Sequence, residues 1–170
     1  MPHSRLHRVF LWIAVLAWGV GVGAKLFDLL ILAGAWSAAP PQSLSLLPYG
    51  PRFPMDPGDF FIPVSLSILV GSIGALATGW RGPVQYRVWL SLSAILIFLV
   101  WLLTMTMMWR MNGALYAAAS TSVGRDIPPT ELVRLARRWI TYDWVRVAMM
   151  AAGFVSSVRA ISLNGLRSVQ

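Results

Sequence analysis

The sequence contains no cysteine, and its two histidines, His3 and His7, both lie within the first seven residues. The absence of cysteine excludes disulfides, thiolate catalysis, iron–sulfur clusters and cysteine-ligated metals. Because both histidines fall in an N-terminal tail, we expect no imidazole inside the protein for haem, zinc or acid–base chemistry. The sequence also has no phosphate-binding loop, dinucleotide fingerprint or G-x-S-x-G elbow. Any buried chemistry is therefore expected to use the remaining polar side chains, without a metal site.

Charged residues are also scarce. They make up 12% of the chain against 57% hydrophobic residues, and the mean hydropathy is +0.66. This composition is too apolar for an ordinary soluble domain, and we expect residues 1–170 to form a single membrane domain. The net charge of +8 does not indicate nucleic acid, because many basic residues flank apolar runs, where they would meet lipid headgroups. The lipid bilayer is the expected partner, and a homo-oligomer or larger membrane complex stays open.

Four apolar runs are long enough to cross a bilayer, which requires about 20 residues. They cover roughly residues 9–35, 60–80, 88–111 and 139–161. These runs predict an all-α, integral membrane four-helix bundle, multi-pass, for which we expect a bacterial inner membrane. The first run is too long for a signal peptide, so we expect it to be a retained span. Six arginines fall on each side, so orientation depends on the first helix, which favours a cytoplasmic N-terminus.

The links between spans differ in character. The short link 81–87 predicts an antiparallel hairpin of spans two and three. The link 37–59 contains six prolines but also apolar residues, so we expect a structured capping loop between spans one and two. Residues 131–138 are amphipathic and follow a threonine, which predicts a short helix before span four. Six tryptophans near run ends are expected at the membrane interface: Trp12, Trp36, Trp80, Trp89, Trp109 and Trp139.

Ionisable residues inside the apolar runs are the strongest functional signal, because charges are costly there and usually line a bundle interior or a cavity. Lys25 and Asp28 share a helix face near the end of the first span, and Asp143 and Arg146 do so near the start of the fourth. Both pairs fall on the same side of the membrane in either orientation. Further polar or aromatic residues expected at this level are Arg52, Arg110, Asn112, Trp139 and Tyr142.

Two interpretations of these charges stay open. One is a pocket that binds or converts a hydrophobic small molecule. The other is a structural ion-pair network that fixes helix register in a non-enzymatic membrane subunit, which binds a protein partner or lipid. A transporter is less favoured, because the sequence shows no inverted repeat or broken span.

A short pattern links the third and fourth spans. It consists of Asn112, then Arg138 followed by Trp139, a polar residue four positions later (Asp143) and an arginine three further on (Arg146). This pattern resembles the anthrone oxygenase-like family of four-helix membrane proteins, which is largely of unknown function. The sequence departs from the family at Asp143, where members more often have histidine or asparagine, so a histidine-based mechanism is not expected.

The resemblance implies an activity as well as a fold. Characterised fungal members oxidise anthrones to anthraquinones with molecular oxygen, without metal or flavin. By this resemblance the protein would be a cofactor-independent oxygenase acting on a flat anthrone- or quinone-like substrate. Asp143 would be the base, Arg146 or Lys25 would stabilise the oxyanion, and Asp28 completes the candidate catalytic set. Candidate substrate-binding residues are Arg52, Arg110, Asn112, Trp139 and Tyr142.

Overall fold

The structure is a computed structural model that describes residues 5–48, 53, 55–120 and 127–165, and every regular element within those ranges is helical. The α-helices are α1 (Arg5–Phe27), α2 (Gly34–Trp36), α3 (Pro57–Gly79), α4 (Val84–Leu103), α5 (Trp109–Ser120) and α6 (Pro129–Gly165). A π-helix, Asp28–Ala33, joins α1 to α2, and a second, Thr104–Met108, joins α4 to α5. A 3₁₀-helix covers Gln42–Leu46. The all-α prediction is confirmed.

Four helical segments are long and apolar enough to cross a membrane: Arg5–Trp36, Pro57–Gly79, Val84–Ser120 and Pro129–Leu163. The prediction of an integral membrane protein with four spans is therefore confirmed. The amphipathic stretch 131–138 is helical but is not a separate element, because α6 runs through it for 37 residues. The reason is local, since no proline or glycine interrupts the chain between Thr130 and Gly153.

The boundaries of α3 and α4 follow from capping and turn chemistry. Oδ1 of Asp56 accepts hydrogen bonds from the backbone N–H of Gly58 (2.6 Å) and of Asp59 (3.1 Å). Oδ2 of Asp59 accepts one in return from the N–H of Asp56 (2.9 Å), which closes a reciprocal cap at the start of α3. A turn follows Gly79 and leads directly into α4. In this turn the N–H of Gly82 donates to the carbonyl of Gly79 at 2.9 Å.

The chain divides into two compact units. Unit 1 comprises Met1–Gly23, Phe61–Val100 and Ala148–Gln170, and unit 2 comprises Ala24–Phe60 and Trp101–Val147. The core of unit 1 contains a cluster of buried side chains from α1, α3, α4 and α6: Leu11, Ala75, Tyr86, Leu90 and Ala160.

Close helix contact in unit 1 depends on glycine. A Cβ at Gly71 would lie 2.6 Å from the backbone nitrogen of Ala14, so α1 and α3 approach more closely than an alanine would permit. A Cβ at Gly153 would meet the ring of Trp18 at 2.5 Å, which shows equally close packing of α1 and α6. These glycines therefore have a packing role.

The core of unit 2 includes the first half of the proline-rich link. Leu44 and Leu47, from and beside the 3₁₀-helix, are 1% and 6% exposed and pack in the same cluster as Trp36 and Trp139. The hydroxyl of Ser43 donates to the carbonyl of Trp36 at 2.6 Å, which ties this link to the end of the first span. Burial of Trp36 and Trp139 corrects the expectation that both lie at the membrane interface. They face each other edge to face, with ring centroids 5.1 Å apart.

Candidate functional site

The four ionisable residues singled out in the sequence come together in unit 2. Lys25 lies in the last turn of α1, and Asp28 begins the π-helix that follows. Asp143 and Arg146 lie one turn apart on α6. Lys25 and Asp28 form one ion pair, and Asp143 and Arg146 form another. We refer to these four residues as the ionic chain.

The ionic chain is continuous across two helices. Nζ of Lys25 contacts Asp28 on its own segment and lies 3.1 Å from Oδ2 of Asp143 on α6. Arg146 then donates to Oδ1 of Asp143 from Nε, at 2.8 Å, and also from Nη2. Negative and positive charges therefore alternate along the ionic chain, and its two carboxylates balance its two cations. Lys25 is the link that turns two local pairs into one assembly.

Burial is deepest at the centre of the ionic chain. The side chain of Asp143 is 0% exposed and that of Lys25 is 4% exposed, whereas Arg146 retains 14% exposure. Moving ions out of water is expensive, and pairing offsets that cost only when the geometry satisfies the remaining polar atoms. One atom does not meet this condition. Among the described residues no aligned hydrogen bond reaches Oδ2 of Asp143, so the nearby ammonium holds it by charge alone.

Trp139 forms the aromatic side of the site. Its ring faces the ammonium of Lys25, with Nζ 5.2 Å from the ring centroid, which is a cation–π distance. Its indole N–H donates to Oδ1 of Asn112 at 2.6 Å, and this bond fixes the rotation of the ring. Asn112 and Trp139, which the sequence pattern paired with Asp143, thus adjoin the ionic chain.

Thr104 is a site residue that sequence reasoning missed. Nη1 of Arg146 lies 3.4 Å from the Thr104 hydroxyl, which extends the polar contacts to the third span. Thr104 begins one π-helix and Asp28 begins the other. π-helical turns are rare overall, and those that do occur are often found at functional sites. No sequence signal would have found them, because a π-turn changes helix register without requiring a particular residue.

The remaining predicted site residues do not join the ionic chain or cannot be placed. Tyr142 is half-buried, and the guanidinium of Arg138 lies over its ring at 5.5 Å. Arg110 is exposed, and within the described ranges no ion pair connects it to the ionic chain. Arg52 lies outside the described residues.

His7 corrects the expectation that histidine is confined to a tail. It lies in α1, in unit 1, and its side chain is 0% exposed. The Thr78 hydroxyl donates to the carbonyl of Gly74 at 2.6 Å, so it accepts the bond from Nδ1 of His7 at 2.8 Å. Nε2 hydrogen-bonds with the Tyr86 hydroxyl, so both ring nitrogens of His7 have partners. The sequence predicts a position outside the first span for His7, because the apolar run begins two residues later, at Val9.

The arrangement in unit 2 has clear chemical capacities. A buried carboxylate with one oxygen free of hydrogen bonds can accept a proton from a weak acid. A neighbouring ammonium and guanidinium, already fixed by their own pairs, can stabilise negative charge that develops on a bound molecule. Among the described residues no group of three His, Asp or Glu side chains is arranged to hold a metal ion.

Comparison with known proteins identifies the family. The family model described as anthrone oxygenase matches residues 54–156, a segment that includes Thr104, Asn112, Trp139, Asp143 and Arg146. Comparison with curated proteins and comparison with solved structures each give no match. The matched segment covers more than half of the chain, and with four helices able to span a membrane, the protein belongs to the anthrone oxygenase family.

Proposed function

We propose that this protein is a membrane oxygenase that oxidises a flat, hydrophobic anthrone- or quinone-like molecule with molecular oxygen, using Asp143 as the base. The observation that carries the proposal is the state of Asp143. It is fully buried in a membrane-spanning helix, lies between two cations, and keeps one oxygen free of hydrogen bonds among the described residues. Membership of the anthrone oxygenase family supports the choice of substrate class.

The proposed reaction begins with proton removal. An anthrone carries a methylene group between two aromatic rings, opposite a ring carbonyl. Oδ2 of Asp143 takes one methylene proton, and the electron pair left on carbon delocalises onto the carbonyl oxygen. Lys25 and Arg146 lie beside that carboxylate and would stabilise the oxyanion.

Oxygen then accepts the electrons. The carbanion transfers electrons to O₂, and a carbon–oxygen bond forms to give a hydroperoxide. Loss of the second methylene proton and cleavage of the O–O bond release water and leave a second ring carbonyl. One substrate and one O₂ thus give one quinone and one water, the carbon losing the four electrons that O₂ gains.

The aromatic residues have a positioning role in this scheme. In this scheme Trp139 is the aromatic neighbour of the reacting groups, and Asn112 fixes the orientation of its ring through the 2.6 Å bond to the indole N–H. The edge-to-face contact of Trp36 with Trp139 supports the same ring from within the core.

Oxygen consumption tests the proposal directly. Full-length protein purified in detergent is supplied with anthrone, and O₂ loss and quinone absorbance are followed against the protein-free rate. We expect one O₂ consumed per quinone formed, and Asp143→Asn should lower kcat by about 10²–10⁴-fold, the usual contribution of a positioned base. Deuteration of the substrate methylene should slow the wild-type reaction if proton removal limits the rate.

The control is Ser93→Ala, which alters a buried polar residue of unit 1 and should leave kcat unchanged. Circular dichroism and gel filtration establish that each variant is folded. Two results would overturn the proposal: a wild-type rate equal to the protein-free rate, or a folded Asp143→Asn protein with unchanged kcat. Either one would favour the structural interpretation, in which the ionic chain serves only to hold its two helices together.

A further inference from the structure

Unit 1 contains six arginines and no aspartate or glutamate, so all six acidic residues of the chain belong to unit 2. The arginines stand at the start of the first span, around the link between spans two and three, and at the end of the fourth: Arg5, Arg8, Arg81, Arg87, Arg159 and Arg167. In a chain with four spans the five described positions among them, Arg5 to Arg159, lie on one side of the membrane. That end of unit 1 therefore carries positive charge with no carboxylate side chain of its own to balance it.

Arg87 shows the consequence of this imbalance in atomic detail. Its Nε is buried, yet among the described residues no hydrogen-bond acceptor reaches it. The guanidinium lies 5.5 Å from the ring centroid of Trp80, which provides a π face but no formal negative charge. A guanidinium stays charged at any physiological pH, and no aspartate or glutamate of unit 1 is available to pair with it.

Two further arginines of unit 1, on an exposed face of α1, border a groove that could hold an anion. An open groove is lined by Arg5 and Arg8 at one end and by four apolar side chains that follow on the same face: Val9, Trp12, Ile13 and Leu16. Arg5 and Arg8 are exposed and lie one turn apart, and no described residue forms an ion pair with either. Trp12 and Leu16 remain 55% and 61% exposed. The groove runs from cationic to apolar over about 12 Å, as judged from the helical rise between Arg8 and Leu16.

We infer that this groove binds an anionic phospholipid. Its phosphate lies between Arg5 and Arg8, and one acyl chain follows Trp12 and Leu16 into the bilayer. The ligand must combine a negative headgroup with an apolar chain, because the groove has both kinds of lining in that order. A zwitterionic lipid is a poorer ligand, since its own cation would approach an end of unit 1 that already lacks negative charge. The inference does not depend on the proposed oxidation.

Native mass spectrometry of the full-length protein tests the inference. The protein in mild detergent is mixed with equal amounts of phosphatidylglycerol and phosphatidylcholine, and the bound lipids are counted. We expect a preference for phosphatidylglycerol that the double variant Arg5→Gln/Arg8→Gln lowers by about thirtyfold, about fivefold for each arginine near an anionic lipid. Arg5→Lys/Arg8→Lys keeps both charges and should keep most of the preference. Both residues are exposed, so the substitutions remove no buried contact.

The matched control is Arg134→Gln/Arg137→Gln, which removes two exposed arginines at the same spacing on α6 in unit 2. Arg134 already has a partner, since its Nη2 lies 3.2 Å from Glu131, and this variant should keep the preference. An equal loss in the control would show general charge attraction and overturn the inference, as would an unchanged preference in Arg5→Gln/Arg8→Gln. Soluble glycerol phosphate provides the last arm. If it displaces the lipid at equal concentration, the apolar groove contributes nothing and the lipid assignment is wrong.

Discussion

Both units bury polar side chains, but unit 1 buries neutral ones and unit 2 buries charged ones. In unit 1 the buried polar residues are His7, Ser72, Ser93, Ser156 and Ser157. In unit 2 they are Lys25, Asp28 and Asp143. The Ser93 hydroxyl accepts a bond from the indole of Trp18 at 3.0 Å and lies 3.0 Å from Ser72 and 2.9 Å from Ser157, so a single residue connects four helices.

The difference shows that unit 1 joins its helices without any aspartate or glutamate. Three hydroxyls and an indole hydrogen-bond across α1, α3, α4 and α6 in unit 1, at little desolvation cost because each group has a partner. The ionic chain in unit 2 joins α1 to α6 at a much higher cost. The ionic chain is thus a costly buried assembly in which Oδ2 of Asp143 is held by an ion pair without a hydrogen bond, and this contrast with unit 1 is consistent with the role proposed for Asp143.

The largest expected effect is that of Asp143→Asn on stability. The substitution removes the carboxylate that pairs with both Lys25 and Arg146, and these two cations remain in a buried setting. Breaking a buried pair in this way typically costs about 3–5 kcal/mol of folding free energy. Unfolding by SDS in mixed micelles would measure the loss. Glu131→Gln on the same helix is the control, because the Glu131–Arg134 pair has the same spacing but side chains 55% and 78% exposed. That variant should lose less than about 1 kcal/mol. Equal losses in the two variants would show that burial does not raise the cost of breaking the ion pairs of Asp143.

The sequence predicts the two ion pairs of the ionic chain but not the contact between Lys25 and Asp143 that joins them. Spacing alone paired Lys25 with Asp28 and Asp143 with Arg146, because residues three apart share a helix face. Span topology placed the two pairs at the same level. That Lys25 reaches Asp143 depends on the rotation of each helix about its axis, and this rotation is set by packing that no local pattern records.

The misplaced residues have physical reasons as well. Trp36 and Trp139 stand near run ends, where tryptophan usually meets headgroups, but the 3₁₀-helix of the proline-rich link covers them and completes a core there. His7 precedes the apolar run and so resembles a tail residue in sequence, although its position on α1 points its ring toward Thr78 and Tyr86. In each case a contact distant in sequence overrode the local signal.

The second prediction concerns the close packing that holds unit 1 in place of charge. Gly71→Ala should destabilise the protein by about 1–3 kcal/mol, because the added methyl meets the backbone of Ala14, which cannot move aside as a side chain can. Gly23→Ala is the matched control in the same unit. Its methyl would meet nothing within 4 Å, so the higher helix propensity of alanine should stabilise α1 by about 0.5–1 kcal/mol. The same SDS titration measures both, and a loss of stability in Gly23→Ala as large as that in Gly71→Ala would show that packing at Ala14 is not the cause.

The smallest expected effect is that of Ser93→Ala, which tests the uncharged hydrogen bonds of unit 1 against the ion pairs of unit 2. The substitution removes three contacts at once, but hydrogen bonds between membrane helices contribute only about 0.6 kcal/mol on average, so we expect a loss of about 1–2 kcal/mol. Ser67→Ala on α3 removes only an exposed bond from a hydroxyl to the carbonyl of Pro63 and should change stability by less than about 0.5 kcal/mol. If Ser93→Ala instead destabilised the protein as much as Asp143→Asn, neutral and ionic polar groups would be energetically equivalent here. The cost of burying charge would then no longer distinguish unit 2 as the site of chemistry.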